Sequence, residues 1–302
     1  MAPIEMDYSQ LSTCMTCPMK WYLQYVKGLR KKSIDDRDID KLFGKQVHKS
    51  LELYYKLGEK DFVTQWQEFI DLPPESKEFS KTKANGIELC KEYLGNYSTQ
   101  DSQMEILDVE TVMRTPITDS LVWIAKVDTI VKLNNNIYSL EHKTTGKFNP
   151  QTYFRNFNPN MQVSGQVYSI EKKYKQCSGC IVNVLVSGYR QKAYKGEPAG
   201  FHCKFQREII NRDSRQLLDF KENVKIGTER LLEYSQDNSM IYKNESACSN
   251  FRGCQYKEVC LTSFGTELDQ EIVDVLYDVV DPKAYLKEGE EPNGTEDASV
   301  SA

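Results

Sequence analysis

The segment LVWIAKVDTIVKLNNNIYSLEHK, residues 121–143, carries the strongest signal for the fold class. Its two halves, Leu121–Leu133 and Ile137–His142, are rich in β-branched and aromatic residues, as strands are. Three consecutive asparagines at 134–136 separate the halves and are typical of a turn. A similar run, Ile106–Met113, precedes them. The pattern therefore predicts a three-stranded β-meander.

Helical patterns lie on both sides of this meander. Apolar residues recur at helical spacing through residues 1–100, and further helices are predicted at about 160–175 and from Ser214 to Tyr234. Two strands, Ile181–Tyr189 and Phe201–Ile210, are predicted between those helices. This order predicts an α/β domain with a central mixed sheet flanked by helices.

We expect one domain over residues 1–265. It would contain a helical part at about 1–100, a sheet core at about 101–235 and a cysteine-rich segment at 246–262. The chain has 302 residues, of which 39% are hydrophobic, enough for a sizeable core. It lacks an apolar run of the roughly 18 residues that a membrane helix requires, and residues 1–10 do not resemble a signal peptide. We therefore expect a cytoplasmic protein with no membrane partner.

Charge is distributed unevenly along the chain. Residues 266–302 carry eleven acids against two lysines, a net charge of −9, whereas residues 1–265 carry +4. The basic part is compatible with DNA as a partner. Backbone contacts and base stacking could come from an N-terminal basic and aromatic group: Trp21, Tyr22, Tyr25, Lys27, Arg30, Lys31 and Lys32. The alternative for the three aromatic residues is a place in the core. The acidic tail, disordered from about residue 287, could cover a DNA channel, bind a basic protein partner or only keep the chain soluble.

Two carboxylates and one amine converge on the predicted meander. Asp128 lies on its second strand and Glu141 and Lys143 on its third, where residues two apart point to the same face. Carboxylate oxygens from neighbouring strands suit Mg²⁺ or Mn²⁺, and an amine beside them can position water or a phosphate oxygen. Phosphodiester hydrolysis requires such groups. The alternative is an exposed edge strand, on which a Glu-x-Lys pair is ordinary.

These residues resemble a known family. The sequence VDTI at 127–130, followed by EHKT at 141–144, resembles the D…E-x-K core of the PD-(D/E)XK nuclease superfamily in its RecB-like branch. The resemblance implies a restriction-endonuclease-like fold and metal-dependent phosphodiester hydrolysis. Asp128 and Glu141 would then be metal ligands, and Lys143 would orient the nucleophile.

Other positions extend the resemblance to this branch. The sequence GKQVH at 44–48 is similar to its Gly-x-x-x-His motif, which implies His48 as a further metal ligand. The branch also has a glutamine and a tyrosine four residues apart after the E-x-K strand, and Gln162 matches the glutamine as a catalytic residue. Gln166 stands where the tyrosine is usual, and Tyr168 comes two positions later. Glu110, on the first meander strand, resembles the acidic residue that the family often has there. It could equally be a solvated residue of an edge strand.

The nine cysteines indicate a metal or cluster site rather than a disulfide framework. Cys248, Cys254 and Cys260 lie within thirteen residues, and clustered thiolates select zinc or iron–sulfur clusters. The fourth ligand would be Cys17 or Cys14. A zinc site of Cys14, Cys17, Cys254 and Cys260 is one alternative. Redox pairs are another, at Cys14 and Cys17 or at Cys177 and Cys180. The simplest interpretation of four others is that they are small core residues: Cys90, Cys177, Cys180 and Cys203.

The cysteine pattern also resembles a subgroup of these nucleases. Cys17 followed at the far end by C-x5-C-x5-C is similar to the iron–sulfur branch, which includes AddB nuclease domains and the CRISPR-adaptation nucleases. This implies a [4Fe–4S] cluster held by Cys17, Cys248, Cys254 and Cys260. The first gap usually holds two residues, and here it holds five.

The resemblance implies a metal-dependent deoxyribonuclease. We expect an exonuclease that acts on DNA ends or single strands in replication, recombination or repair. One alternative is a catalytically silent DNA-binding or scaffold protein with the same fold. The other is a zinc-binding protein with no DNA role.

Overall fold

The computed structural model describes residues 3–32, 36–69, 81–146, 149–193, 196, 198–250, 253–282 and 284. Within them the strands are β1 (Ile4–Asp7), β2 (Leu29–Lys31), β3 (Glu105–Thr118), β4 (Leu121–Leu133), β5 (Asn136–Thr145), β6 (Gly179–Arg190), β7 (Gly200–Ile210) and β8 (Tyr277–Val279). The α-helices are α1 (Tyr8–Thr16), α2 (Pro18–Trp21), α3 (Asp36–Leu57), α4 (Phe62–Gln65), α5 (Lys83–Asp101), α6 (Pro150–Tyr153), α7 (Met161–Tyr174), α8 (Ser214–Gln236), α9 (Lys257–Thr262) and α10 (Gln270–Leu276).

Strand β4 organises the central sheet. One of its edges pairs along its length with β3, antiparallel. The other edge pairs with β1 in parallel near its start and with β5 in antiparallel near its end. Beyond β5 the sheet continues through a parallel β6 to an antiparallel β7. The predicted α/β class with a central mixed sheet is therefore confirmed.

Helices cover both faces of this sheet. The helices α3 and α5 pack on one face, where Val47, Leu51 and Leu89 meet Leu140 and Ile181 of the strands. The helices α1, α7 and α8 form the layer on the other face. Its core includes Trp123, Leu11, Phe220 and Leu231, all at least 95% buried. Buried apolar side chains from both layers fix the sheet between them.

The predicted meander, the later strands and the helices α7 and α8 all form close to their predicted limits. The first sixty residues, predicted as helical, also contain β1 and β2. Of the N-terminal aromatics, Trp21 and Tyr22 are only 2% and 3% exposed, so they are core residues, as the alternative to base stacking predicts.

The C-terminal part of the described chain packs onto the domain. Strand β8 pairs antiparallel with β2, so that Leu29 lies opposite Val279, and Val273 of α10 is buried. Residues 270–279 therefore pack onto the domain that was predicted to end at residue 265, since Leu29, Val273 and Tyr277 are all at least 95% buried. The tail predicted as disordered from about residue 287 lies outside the described residues.

None of the helices in the described segments is both long enough and apolar enough to cross a bilayer.

Candidate active site

Helix α3 approaches the meander closely and brings His48 to it. Gly44, one turn before His48, permits this approach, because a Cβ atom there would lie 3.1 Å from Thr144 Oγ1 of β5. His48 Nδ1 then lies 3.4 Å from Asp128 Oδ2 on β4. The Gly-x-x-x-His spacing thus serves close packing of a helix on a sheet.

The strands β4 and β5 separate next to Asp128. Their pairing ends at Thr129 and Leu140. Beyond this pair, the main-chain N–H of His142 donates to Asp128 Oδ2 at 2.8 Å. The carboxylate of Asp128 is therefore held between His48 and the main chain of the E-x-K strand.

Glu110 joins these groups from β3. Strand pairing of Val109 with Thr129 and of Thr111 with Val127 places Glu110 opposite Asp128. Its φ is +51°, in the left-handed region that residues with a side chain rarely adopt. Glu110, Asp128 and His48 each present one ligand atom, and these three atoms lie within 4.8 Å of one another. Backbone strain of this kind collects at functional sites.

Glu141 lies beside this group but is held by other side chains. It is 2% exposed. Its Oε1 accepts hydrogen bonds from Lys143 Nζ and, at 2.8 Å, from Gln162 Nε2. Its Oε2 accepts from Gln166 Nε2 at 2.6 Å. The three residues whose ligand atoms lie within 4.8 Å of one another are therefore His48, Glu110 and Asp128. Glu141, the third metal ligand predicted from the sequence, is not among them.

Gln166, at the position where the resemblance leads one to expect tyrosine, is part of the site. It is 1% exposed and also donates to Lys126 O at 3.1 Å. Tyr168 lies outside the site, since its hydroxyl donates to Pro116 O at 2.9 Å and its ring packs on Phe220. Gln162 and Gln166 are four positions apart, so both point to the same side of α7. That spacing is the signal that could have identified Gln166.

The charges of the site stabilise one another. Burial alone would raise the pKa of Asp128, but the adjacent His48 lowers it below its ordinary value. Burial opposes a charge on His48, yet the carboxylates of Asp128 and Glu141 raise its pKa. Burial likewise opposes the charge of Lys143, and Glu141 and Asp128 raise its pKa. Burial raises the pKa of Glu110, and the Asp128 carboxylate adds to this effect.

The four cysteines predicted as cluster ligands line one cavity of about 70 Å³. They are Cys17, at the break between α1 and α2, together with Cys248, Cys254 and Cys260. The main chain folds tightly there, with Cys254 N–H donating to Cys248 O at 2.9 Å. Cys14 is not among the lining residues. It is 3% exposed in the core, and burial raises its pKa to about 11.

Comparison with known proteins identifies the fold. A family model of the PD-(D/E)XK nuclease superfamily matches residues 6–261. The chain belongs to this superfamily. None of the curated proteins searched matches it.

Solved structures of two exonuclease-named proteins are similar to this PD-(D/E)XK chain. A candidate exonuclease from Eubacterium rectale is 12% identical, with a TM-score of 0.46, and the match covers 77% of this chain and 81% of that one. An alkaline exonuclease from Laribacter hongkongensis is 14% identical, with a TM-score of 0.26, over 49% of this chain and 69% of that one. Membership of the superfamily therefore rests on the family model.

PD-(D/E)XK nucleases use divalent metals, and the donor set of this chain fits one. Two carboxylate oxygens and an imidazole nitrogen, from Glu110, Asp128 and His48, suit Mg²⁺ or Mn²⁺. Glu141, Lys143 and Gln162 lie next to them. The structure thus brings together the predicted residues His48, Asp128, Glu141, Lys143 and Gln162. Of the further candidates it includes Glu110 and leaves out Tyr168, and it adds Gln166.

Proposed function

We propose that this chain is a divalent-metal-dependent DNA nuclease of the RecB-like branch. The observation that carries the proposal is the meeting of His48, Glu110 and Asp128 within 4.8 Å, next to Glu141 and Lys143. A catalytically silent scaffold would have no need for so many charged groups at the point where two strands separate. The resemblance of the motifs to the RecB-like branch supports exonuclease action on DNA ends or single strands.

The roles of the residues follow from their contacts. His48, Glu110 and Asp128 would hold the metal ion. Bound Mg²⁺ or Mn²⁺ would supply a Lewis acid for the phosphate and lower the pKa of a water molecule. Gln162 and Gln166 hold Glu141 in place by hydrogen bonds to both of its oxygens.

Lys143 acts as a donor in this proposal. Because nearby carboxylates raise its pKa against the effect of burial, it stays protonated at neutral pH and cannot accept a proton from water. Its ammonium group can orient the nucleophile or stabilise a phosphate oxygen as negative charge develops there. Gln162 Oε1, at 3.3 Å from Lys143 Nζ, keeps that group directed along the site.

We further propose a [4Fe–4S] cluster held by Cys17, Cys248, Cys254 and Cys260. Four thiols around one cavity are a donor set that fits this cluster. Zinc is the alternative occupant, since four thiolates also suit it. The zinc set that includes Cys14 is less well supported, because Cys14 lies in the core away from the cavity.

We infer that the nuclease domain extends to about residue 282, because β8 pairs with β2 and α10 packs against α9 and β8.

A direct experiment tests the proposed function. Purified protein is incubated with 5′-labelled single-stranded and double-stranded DNA, with Mg²⁺, with Mn²⁺ and with a chelator. We expect cleavage with either metal and none with the chelator, and the product ladder separates exonuclease from endonuclease action. DNA binding without cleavage under every metal condition would instead favour the scaffold alternative. Iron, sulfide and zinc analysis of the same preparation identifies the occupant of the cysteine cavity.

A further inference from the structure

A buried polar network lies behind the candidate active site, on the face of the sheet covered by α3 and α5. Its members are Tyr55 of α3, Tyr93 and Asp101 of α5, Asn183 of β6, Arg207 of β7 and His142 of β5. The side chains of Arg207 and Asp101 are only 9% and 4% exposed, and Asn183 and Tyr93 are fully buried. A buried ion pair is costly to form. The proposed roles in catalysis do not account for it.

The direction of each hydrogen bond can be deduced from the Asp101 end. A carboxylate only accepts, so the Tyr55 hydroxyl donates its one hydrogen to Asp101 Oδ2 at 2.8 Å. In the 2.6 Å contact between the two tyrosine hydroxyls, Tyr93 must therefore donate to Tyr55. The Tyr93 oxygen is then left to accept. It accepts from Arg207 Nη2 at 2.7 Å and from Asn183 Nδ2 at 3.1 Å.

The Arg207 end gives the same directions independently. A guanidinium only donates, and Arg207 Nε donates to Asn183 Oδ1 at 3.3 Å. This contact fixes the orientation of the amide, so that Asn183 Nδ2 faces both Tyr93 and His142. One Nδ2 hydrogen goes to Tyr93, and the other goes to His142 Nδ1 at 2.8 Å. His142 Nδ1 must therefore accept, and a neutral imidazole that accepts at Nδ1 carries its hydrogen on Nε2.

We propose that Arg207 is a positioning residue that, through Asn183, fixes His142 as the Nε2-protonated tautomer beside the active site. In this tautomer neither ring nitrogen offers a lone pair to a metal ion, so His48 is the imidazole that binds one. The proposal rests on the proposed nuclease function for its effect on turnover, but the tautomer itself does not.

The network also holds the main chain of the E-x-K strand. The His142 ring stacks on Tyr55, with centroids 5.5 Å apart and an interplanar angle of 20°. Its own main-chain N–H donates to Asp128 Oδ2 at 2.8 Å. Tyr55 belongs to α3, the helix that carries His48, and the His48 and His142 rings are in edge contact at 6.0 Å. A fixed His142 ring therefore fixes the positions of both Asp128 and His48.

Nuclear magnetic resonance of ¹⁵N-histidine-labelled full-length protein tests the tautomer. The chain has three histidines, so the spectra of His48→Gln and His202→Gln proteins assign the His142 signals. We expect a protonated Nε2 and an unprotonated, hydrogen-bonded Nδ1. In the nearly isosteric Asn183→Asp protein the carboxylate cannot donate, so the hydrogen should move to Nδ1 and the two ¹⁵N shifts should exchange.

Kinetics test the positioning role. Asn183→Asp and Arg207→Met should lower kcat about ten- to a hundredfold, as changes behind metal ligands do, and leave KM for DNA unchanged. Arg207→Lys, which keeps a donor, should recover part of the loss. The control is Tyr97→Phe. The Tyr97 ring lies 3.7 Å from the guanidinium, but its hydroxyl has no bond in the network, so tautomer and kcat should stay those of the parent.

The outcomes separate this proposal from the nuclease function. A parent His142 with its hydrogen on Nδ1 overturns the tautomer assignment, whatever activity is found. An Asn183→Asp protein with the parent kcat overturns the positioning role and leaves the nuclease function intact. A parent that cleaves no DNA overturns the proposed function and the positioning role together. If Arg207→Met does not fold, the Asn183→Asp protein decides alone.

Discussion

Asp128 is the residue on which the site depends most. It receives the main-chain N–H of His142, contacts His48 and lies opposite Glu110. We predict that Asp128→Asn lowers the cleavage rate with Mg²⁺ or Mn²⁺ by at least about a hundredfold, because the neutral amide attracts the metal far less. Glu141→Gln and Lys143→Met should lose activity to a similar degree.

A matched control distinguishes this effect from a general loss of negative charge. Asp119 is exposed in the turn between β3 and β4, so Asp119→Asn should cleave at the parent rate. Cleavage is followed on labelled DNA, and thermal unfolding confirms that each variant is folded. If Asp128→Asn keeps the parent rate, the active site is elsewhere.

Variants of Glu110 can separate the effect of its main-chain conformation from the effect of its carboxylate. Its φ of +51° costs about 1 kcal/mol or more for a residue with a side chain, and glycine escapes this cost. Glu110→Gln and Glu110→Gly both remove the carboxylate, so we predict a similar loss of cleavage in both. The glycine variant should be the more stable of the two by about 1 kcal/mol in denaturant unfolding. Full activity in Glu110→Gln would remove Glu110 from the metal site.

At the same scale, sequence reasoning found most of the site but misjudged two residues. His48, Asp128, Glu141 and Lys143 were predicted because their motifs resemble those of the RecB-like nucleases. Tyr168 was a candidate only because it is a tyrosine. It lies two positions past Gln166 on α7, so its side chain points away from Glu141. The contact of Gln166 with Glu141 depends on how α7 docks on β4 and β5, which the local sequence does not contain.

At the scale of elements, the docking of α7 depends on Gly165. A Cβ atom at Gly165 would lie 2.2 Å from Trp123 Nε1 of β4, whereas a Cβ atom at Gly95 of α5 meets nothing within 4 Å. We predict that Gly165→Ala destabilises the protein by about 1–3 kcal/mol and reduces cleavage, because α7 carries Gln162 and Gln166. Gly95→Ala, the matched control, should stabilise it by about 0.5–1 kcal/mol. Chemical denaturation measures both, and equal effects would contradict this account of the packing.

Long elements were predictable and short ones were not. The strands β4 and β6 have 13 and 12 residues, and their apolar runs are visible in the sequence. The strands β1, β2 and β8 have only three or four residues each. No periodicity can be read over such a length, and these strands form because partners distant in the chain, β4 for β1 and β2 for β8, supply the hydrogen bonds.

At the scale of the whole molecule, the cysteine cavity joins the two ends of the domain. We predict that Cys17→Ala, Cys254→Ala and Cys260→Ala each abolish the visible absorption of an iron–sulfur centre in anaerobically purified protein. Each should also lower the unfolding temperature, because a ligand set split between distant segments closes a very long loop. Cys14→Ala should keep the absorption, since Cys14 faces the core. If metal analysis finds stoichiometric zinc without iron or sulfide, the site binds zinc and the cluster assignment is wrong.

The acidic C-terminal segment has two parts, one packed on the domain and one outside the described residues. Residues 266–284 include α10 and β8, and the buried side chains of Val273 and Tyr277 attach them to the domain. A truncation after Gly265 would therefore expose the core and could not report on charge alone. Residues 285–302 carry five acids and one lysine, and a truncation after Ala284 removes them without removing a described element.

If this last segment competes with DNA phosphates for basic residues, its removal should tighten DNA binding. We predict a gain of about fivefold at low salt, equivalent to about 1 kcal/mol, which shrinks as salt rises because screening weakens the competing contacts. A full-length variant with the five acids changed to their amides should behave like the truncation, since only charge is removed. Fluorescence anisotropy with labelled single-stranded DNA measures both proteins over a salt series. Equal affinity of parent and truncated protein at low salt would exclude competition and leave two alternatives, a basic protein partner or a segment that only keeps the chain soluble.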